Sequence, residues 1–106
     1  MRATLNGTRY NTNDCRELAS FDHYSSSNNY AGTTRLMEAG DGNLLVWTDS
    51  NGQDLYLSDS LSLWDDWKAE REYGNAEAID LFDDIEDEER LVALGLITIC
   101  PKVKGA

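Results

Sequence analysis

Carboxylates dominate the side chains here that could do chemistry, and they come at close spacings. Asp65 and Asp66 are adjacent, as are Asp83 and Asp84, while Asp80, Asp84 and Glu88 recur every four residues. Two carboxylates can divide general acid and general base roles when both converge on one substrate. Neighbours on a helix diverge by about 100°, so neither adjacent pair would aim at a common target. The four-residue recurrence does share a helix face, and it predicts a charged surface instead of a catalytic centre.

Other reactive groups are sparse. The only histidine, His23, precedes Ser25, Ser26 and Ser27, but no nucleophile-elbow glycine pattern surrounds those serines and the carboxylates are distant. Cys15 paired with His23 lacks the local signature of a cysteine hydrolase, and an apolar helix face accounts for Cys15. The stretch Asp49-Ser50-Asn51-Gly52-Gln53-Asp54 resembles the start of a calcium loop. An EF-hand needs glycine sixth and an acid twelfth, where this chain has Asp54 and Ser60. No glycine-rich phosphate loop occurs. A carboxylate-based metal-dependent hydrolase would need acids to converge with His23, and it ranks last. The expectation is a non-enzymatic protein with no cofactor and no metal site.

The charge itself is unevenly placed. Thirteen acidic residues lie from Asp59 to Glu89 against two basic ones, Lys68 and Arg71. Residues 1–40 balance Asp14, Glu17, Asp22 and Glu38 with Arg2, Arg9, Arg16 and Arg35. The net charge of -11 is therefore regional, and a concentrated anionic field steers and holds cationic partners. Halophilic adaptation would spread acids over the whole surface, which the neutral N-terminal part does not show. No apolar run approaches the roughly 18–20 residues that span a bilayer. The N-terminus carries no apolar leader core, so a cytoplasmic protein of a bacterial host cell is expected. Cys15 and Cys100 sit among apolar neighbours and read as buried thiols, not a disulfide.

These groups must be positioned by local elements. Asn6-Gly7 between two short alternating runs is the signal of a type I′ hairpin. Thr12 or Asn13 caps an expected short helix with Asp14 and Glu17 in its first turn and Cys15, Leu18 and Ala19 on one face. Ser25 to Asn29 is a polar loop between Tyr24 and Tyr30. A meander follows: strands at Thr33–Glu38, Leu44–Thr48 and Asp54–Leu57, with turns at Gly40–Asn43 and Ser50–Gly52. The run Leu44-Leu45-Val46-Trp47 suits a central strand covered on at least one face.

The last third reads as helical. Ser62 with Asp65 resembles a capping box, Gly74 stops that helix, and Asn75 caps a second one that continues to Gly95. Trp64 and Trp67 face inward on the first; Ala78, Ile79, Phe82 and Ile85 make the stripe of the second. A short strand is expected at Leu96–Cys100. On the second helix Asp80/Asp84, Asp83/Asp87 and Asp84/Glu88 are like-charged pairs, each destabilising by roughly 0.2–0.5 kcal/mol. Tolerating them suggests that the field itself is useful. Carboxylates at this spacing lie about 6 Å apart, close to successive phosphates on one nucleic-acid strand. The plainer alternative is a solubilising face.

The stretch Leu5-Asn6-Gly7-Thr8-Arg9-Tyr10-Asn11-Thr12, with the short helix ending Leu18-Ala19, resembles a motif of small uncharacterised proteins of phages and mobile elements. In that group a hairpin and helix precede a meander and an acidic C-terminal helical segment. The Ser/Asn-rich loop and the long acidic segment depart from the pattern. The resemblance implies no catalytic residues. It implies an accessory protein of a mobile element, a setting of small acidic anti-restriction and anti-CRISPR inhibitors.

The expected architecture is α+β in one domain over 1–106: hairpin plus helix at 3–22, meander at 33–58 and acidic helices at 61–95. Trp47, Leu45, Leu55, Leu57, Trp64, Trp67, Phe82 and Ile85 are its expected core. The expected function is inhibition of a basic nucleic-acid-binding protein, a CRISPR effector or restriction enzyme, by polyanion mimicry. Asp65, Asp66, Glu70, Asp80, Asp83, Asp84, Asp87 and Glu88 form the expected contact set. Direct nucleic-acid binding and membrane binding are not expected, and the oligomeric state is left open. The alternative is an immunity or antitoxin protein that neutralises a basic nuclease.

Overall fold

Asn6 and Gly7 sit at φ 49° and 82°, the two left-handed positions of a type I′ turn. They join strand β1 (Arg2–Leu5) to β2 (Thr8–Asn11), with Leu5 opposite Thr8. The expected hairpin is thus present in this computed structural model, which describes residues 1–52, 54 and 56–105.

The expected helix after the hairpin is absent. Asn11 caps a single 3-10 turn, Thr12–Asp14, through its Oδ1, which accepts from the Asn13 N–H at 3.0 Å. The chain then runs as strand β3 (Arg16–Tyr24), antiparallel to β4 (Tyr30–Glu38). The physical reason lies at Leu18, where the register slips between Glu17 and Ala19. This bulge breaks the two-residue alternation, so Leu18 and Ala19 are both fully buried and the local pattern mimics a helix. The polar loop falls between Tyr24 and Tyr30 as expected.

Strand β5 (Leu44–Ser50) pairs with β4 and, on its other side, with β6 (Ser60–Leu63). The third strand of the meander therefore lies later than Asp54–Leu57. Asp54 instead builds a turn: its Oδ1 accepts from the Tyr56 N–H at 2.9 Å and its carbonyl from the Leu57 N–H at 3.2 Å. Such a side-chain turn competes with ladder formation. Leu55, assigned to that strand and to the core, lies outside the described residues.

Helix α1 (Trp64–Glu70) starts after Leu63 with no side-chain cap, because Ser62 is committed to β6 opposite Val46. Its end is turned by Glu72 at φ 57° rather than by Gly74, and the Tyr73 N–H returns to the Lys68 carbonyl at 3.0 Å. Gly74 is the residue that caps α2 (Asn75–Ile79). The long helix expected from Asn75 to Gly95 is interrupted by a two-residue strand, β7 (Asp84–Ile85), before α3 (Glu88–Ala93). Here the Leu18 bulge acts a second time. Its carbonyl accepts from both the Glu86 and Asp87 N–H groups, at 3.0 and 3.1 Å, while Ala19 and Ser20 pair with Ile85 and Asp84. Gly95 ends α3 as expected, at φ 74°, with the Leu96 N–H on the Leu91 carbonyl and its own on Val92. Leu96–Cys100 forms no strand.

The result is α+β, with a two-stranded and a five-stranded antiparallel sheet, the latter in the order β6-β5-β4-β3-β7. One face of the larger sheet packs Leu18, Leu36 and Val46 against Trp64, Trp67, Ala78, Ile79, Phe82 and Leu91. The other gathers Met37, Leu45 and Leu61 under Tyr10, with Leu5 and Trp47 at the margin. Covering on both faces explains the unbroken apolar run of β5. Leu45, Trp64, Trp67 and Phe82 are buried as expected, Trp47 and Leu57 are half-buried, and Ile85 is 40% exposed because it sits on the edge strand. Cys15 is half-buried and Cys100 exposed, both as free thiols, so burial fails for Cys100 because no strand carries it inward. No helix among the described residues is long and apolar enough to cross a membrane.

Candidate functional site

From Asp80 to Glu89 the chain carries seven carboxylates, and the elements place each differently. Asp80 follows α2 as its C-cap, Asp83 lies in the irregular link before β7, Asp84 is in β7, Asp87 is the N-cap of α3 and Glu88 opens that helix. The four-residue helical row of Asp80, Asp84 and Glu88 therefore does not exist. What remains is an anionic edge. Asp80, Asp83, Asp84, Glu86, Glu88 and Glu89 are exposed, and among the described residues only Asp87 of the seven forms an ion pair, with Arg16 at 3.4 Å.

Part of this charge has a structural use. Asp87 Oδ1 accepts from the Arg90 N–H at 3.1 Å, a cap worth about 1 kcal/mol. Glu88 and Glu89 lie in the first turn of α3, where they complement its dipole. A short, charged strand also protects a sheet edge from pairing with other chains. Asp80 and Asp83 have no such role.

Asp65, Asp66 and Glu70 are exposed on α1. Asp65 pairs with Lys68 at 3.1 Å, and Glu70 lies 3.8 Å from Arg71. Helix α1 packs against β5 and β6, whereas β7 is the opposite edge of the sheet. In the helix layer, however, Trp64 and Trp67 of α1 pack against Phe82, which lies between Asp80 and Asp83. The eight expected contact residues thus lie on separate elements and not in one helical row. Among the described residues, no three His, Cys, Asp or Glu side chains are grouped to hold a metal ion.

A second feature escaped sequence reasoning. On the helix-facing side of the sheet Phe21, Thr34, Thr48 and Ser60 stand opposite one another across four strands. They floor a cleft of about 190 Å³ whose walls include His23, Leu57, Trp67, Arg71 and Tyr73. His23 Nε2 and Thr34 Oγ1 are 2.7 Å apart, and Thr34 Oγ1 and Thr48 Oγ1 are 2.8 Å apart. Arg71 lies over the Trp67 ring at 4.4 Å and donates to the Trp67 carbonyl at 3.2 Å. Burial holds the His23 imidazole below its ordinary pKa; Asp22 and Asp54 oppose that shift and Arg71 adds to it. The signal was the recurrence of Thr or Ser at facing positions, which is visible only once the register is known.

No family model, curated protein or solved structure matches the chain, so the geometry of these surfaces carries the functional reading.

Proposed function

We propose that this protein is a non-enzymatic acidic inhibitor that occupies the basic groove of a nucleic-acid-binding protein. The observation that supports this reading is the run of exposed carboxylates over Asp80–Glu89, six of them without an ion pair among the described residues. Unpaired surface charge of one sign at this density raises the association rate with a cationic groove and competes with a polyanion for it. The contact surface is the edge formed by α2, β7 and α3, centred on Asp80, Asp83, Asp84 and Glu88. Asp65, Asp66 and Glu70 form a second acidic patch, on α1. The N-terminal motif resemblance supports a phage or mobile-element setting, with a CRISPR effector or restriction enzyme as the target.

The test is capture from bacterial lysate on the immobilised protein, with elution by salt and competition by DNA or RNA. A parallel column carries Asp80→Asn, Asp83→Asn, Asp84→Asn and Glu88→Gln together. A nucleic-acid-binding protein that is retained by the native protein, released by salt and lost from the neutralised column is the expected result. A captured nuclease toxin would move the reading to an immunity protein. Retention that ignores neutralisation, salt and nucleic acid would overturn polyanion mimicry.

A further inference from the structure

We propose that the cleft between α1 and the helix-facing side of the sheet binds a small carboxylate with a compact, ring-sized apolar body. This goes beyond the anionic edge and does not depend on it.

Charge is the first reason. The chain has 20 acidic and 9 basic residues, yet among the described residues the cleft lining holds the Arg71 guanidinium and no carboxylate. Asp22 and Asp54 act on His23 from outside the lining, and Glu70, also outside it, lies 3.8 Å from the same Arg71 Nη1 that donates to the Trp67 carbonyl. Arg71 is pre-oriented by its stacking on Trp67 and its bond to the Trp67 carbonyl. A guanidinium fixed in this way keeps further N–H groups for a planar carboxylate, which it can hold bidentately.

The floor is the second reason. Thr34 and Thr48 are 2% and 6% exposed. Valine would fill those strand positions equally well, and a buried hydroxyl is costly unless it is hydrogen-bonded. With the proton on His23 Nε2, the imidazole donates to Thr34 and Thr34 donates to Thr48. The Thr48 hydroxyl then has a hydrogen left to donate, and among the described residues Thr48 Oγ1 makes no other hydrogen bond. Ser60 stands beside it across the β5–β6 pair. The ladder thus presents hydroxyl donors on the floor of the site that Arg71 walls.

Size and walls complete the assignment. Phe21, Leu57, Trp67, Tyr73 and Leu81 supply apolar and aromatic surface. At about 190 Å³ the cleft exceeds the roughly 150 Å³ of an apolar cavity that admits benzene. A benzoate-sized molecule fits that space; a nucleotide does not.

Benzoate and its neutral isostere benzamide are the probes, titrated by calorimetry and followed through the His23 ring and Trp67 indole resonances. Saturable benzoate binding that shifts both resonances is expected, about tenfold or more tighter than benzamide. Arg71→Gln, an exposed change, should weaken benzoate about tenfold while leaving benzamide unchanged, and a retained cooperative melting transition would show that the variant is folded. Thr48→Val should weaken benzoate as well. No saturation by about 10 mM benzoate, equal binding of benzamide, or full benzoate affinity in Arg71→Gln would each overturn the proposal.

Discussion

Arg90 and Glu38 lie 52 positions apart and are joined by two parallel hydrogen bonds, Nε to Oε1 at 2.8 Å and Nη2 to Oε2 at 2.5 Å. This forked contact ties α3 to the end of β4, and Asp87 caps the same helix by accepting from the Arg90 N–H. The helix of the acidic edge is thus anchored to the central meander by its one arginine.

Hydrogen bonding from Arg90 holds the Glu38 carboxyl below its ordinary range near 4.5, with burial opposing. A depressed folded-state pKa means that the unfolded chain takes up its proton first. The contribution is therefore complete above the ordinary value and disappears as pH falls through the lower folded value. Glu38→Gln should lower the melting temperature at neutral pH and flatten its decline in acid. Parallel melting curves for both proteins from about pH 7 to about pH 3 would show that the tie contributes nothing.

Asp87 should separate from the other edge acids in urea titrations. Asp87→Ala removes both the cap and the Arg16 contact, and a loss of about 1 kcal/mol is expected. Neutralising Asp80 and Asp83 to Asn should leave the midpoint unchanged or raise it at low salt, because only repulsion is removed. A clear loss in that double variant would mean that those carboxylates hold the fold together.

Gly32→Ala should be among the most damaging single changes. A Cβ built at Gly32 would lie 2.3 Å from the Asp49 carbonyl oxygen and 3.0 Å from Leu57 Cδ2. The first neighbour is β5 backbone and cannot yield cheaply. A destabilisation of about 1–3 kcal/mol or more follows from such overpacking, measurable by urea unfolding. A native-like midpoint would mean that the β4–β5 pair can separate there without penalty.

His23 sets a pH dependence of opposite cause and similar direction. Its imidazole meets Phe21 and Thr34 and feels Asp22, Asp54 and Arg71, with burial the largest influence. Because the folded pKa lies below the ordinary 6.5, the unfolded chain protonates first as pH falls. Stability from the neutral ring is therefore full above that value and declines below it. His23→Gln should remove this slope between about pH 7 and about pH 5. An unchanged slope would place the responsible group elsewhere.

The legible parts of the chain were those fixed by short-range chemistry. Asn6-Gly7 demands two positive φ angles and so declares its hairpin, and Gly95 declares the end of α3 in the same way. Trp64, Trp67 and Phe82 were readable as core because they are large, apolar and periodic. Leu18 was not readable as a bulge, since its conformation depends on β4 and on the Glu86 and Asp87 amides far along the chain. That one residue misdirected two expectations, the early helix and the continuous acidic helix. The identities of the edge acids were legible and their geometry was not. Thr34, Thr48 and Ser60 are unremarkable alone and become a polar row only through the register.

Among the described residues the hairpin β1–β2 shares no ladder hydrogen bonds with the larger sheet. It is held by the packing of Leu5 and Tyr10 and by the Tyr10 hydroxyl, which donates to Asp41 at 2.7 Å and accepts from Asn43 at 2.8 Å. Amide hydrogens of the hairpin should accordingly exchange together, through an opening that costs less than global unfolding. Such an opening would bare Met37, Leu45 and Leu61 while the helix-side core stays intact. The first species to self-associate under mild denaturing stress would then be a nearly native molecule that has merely shed its cover.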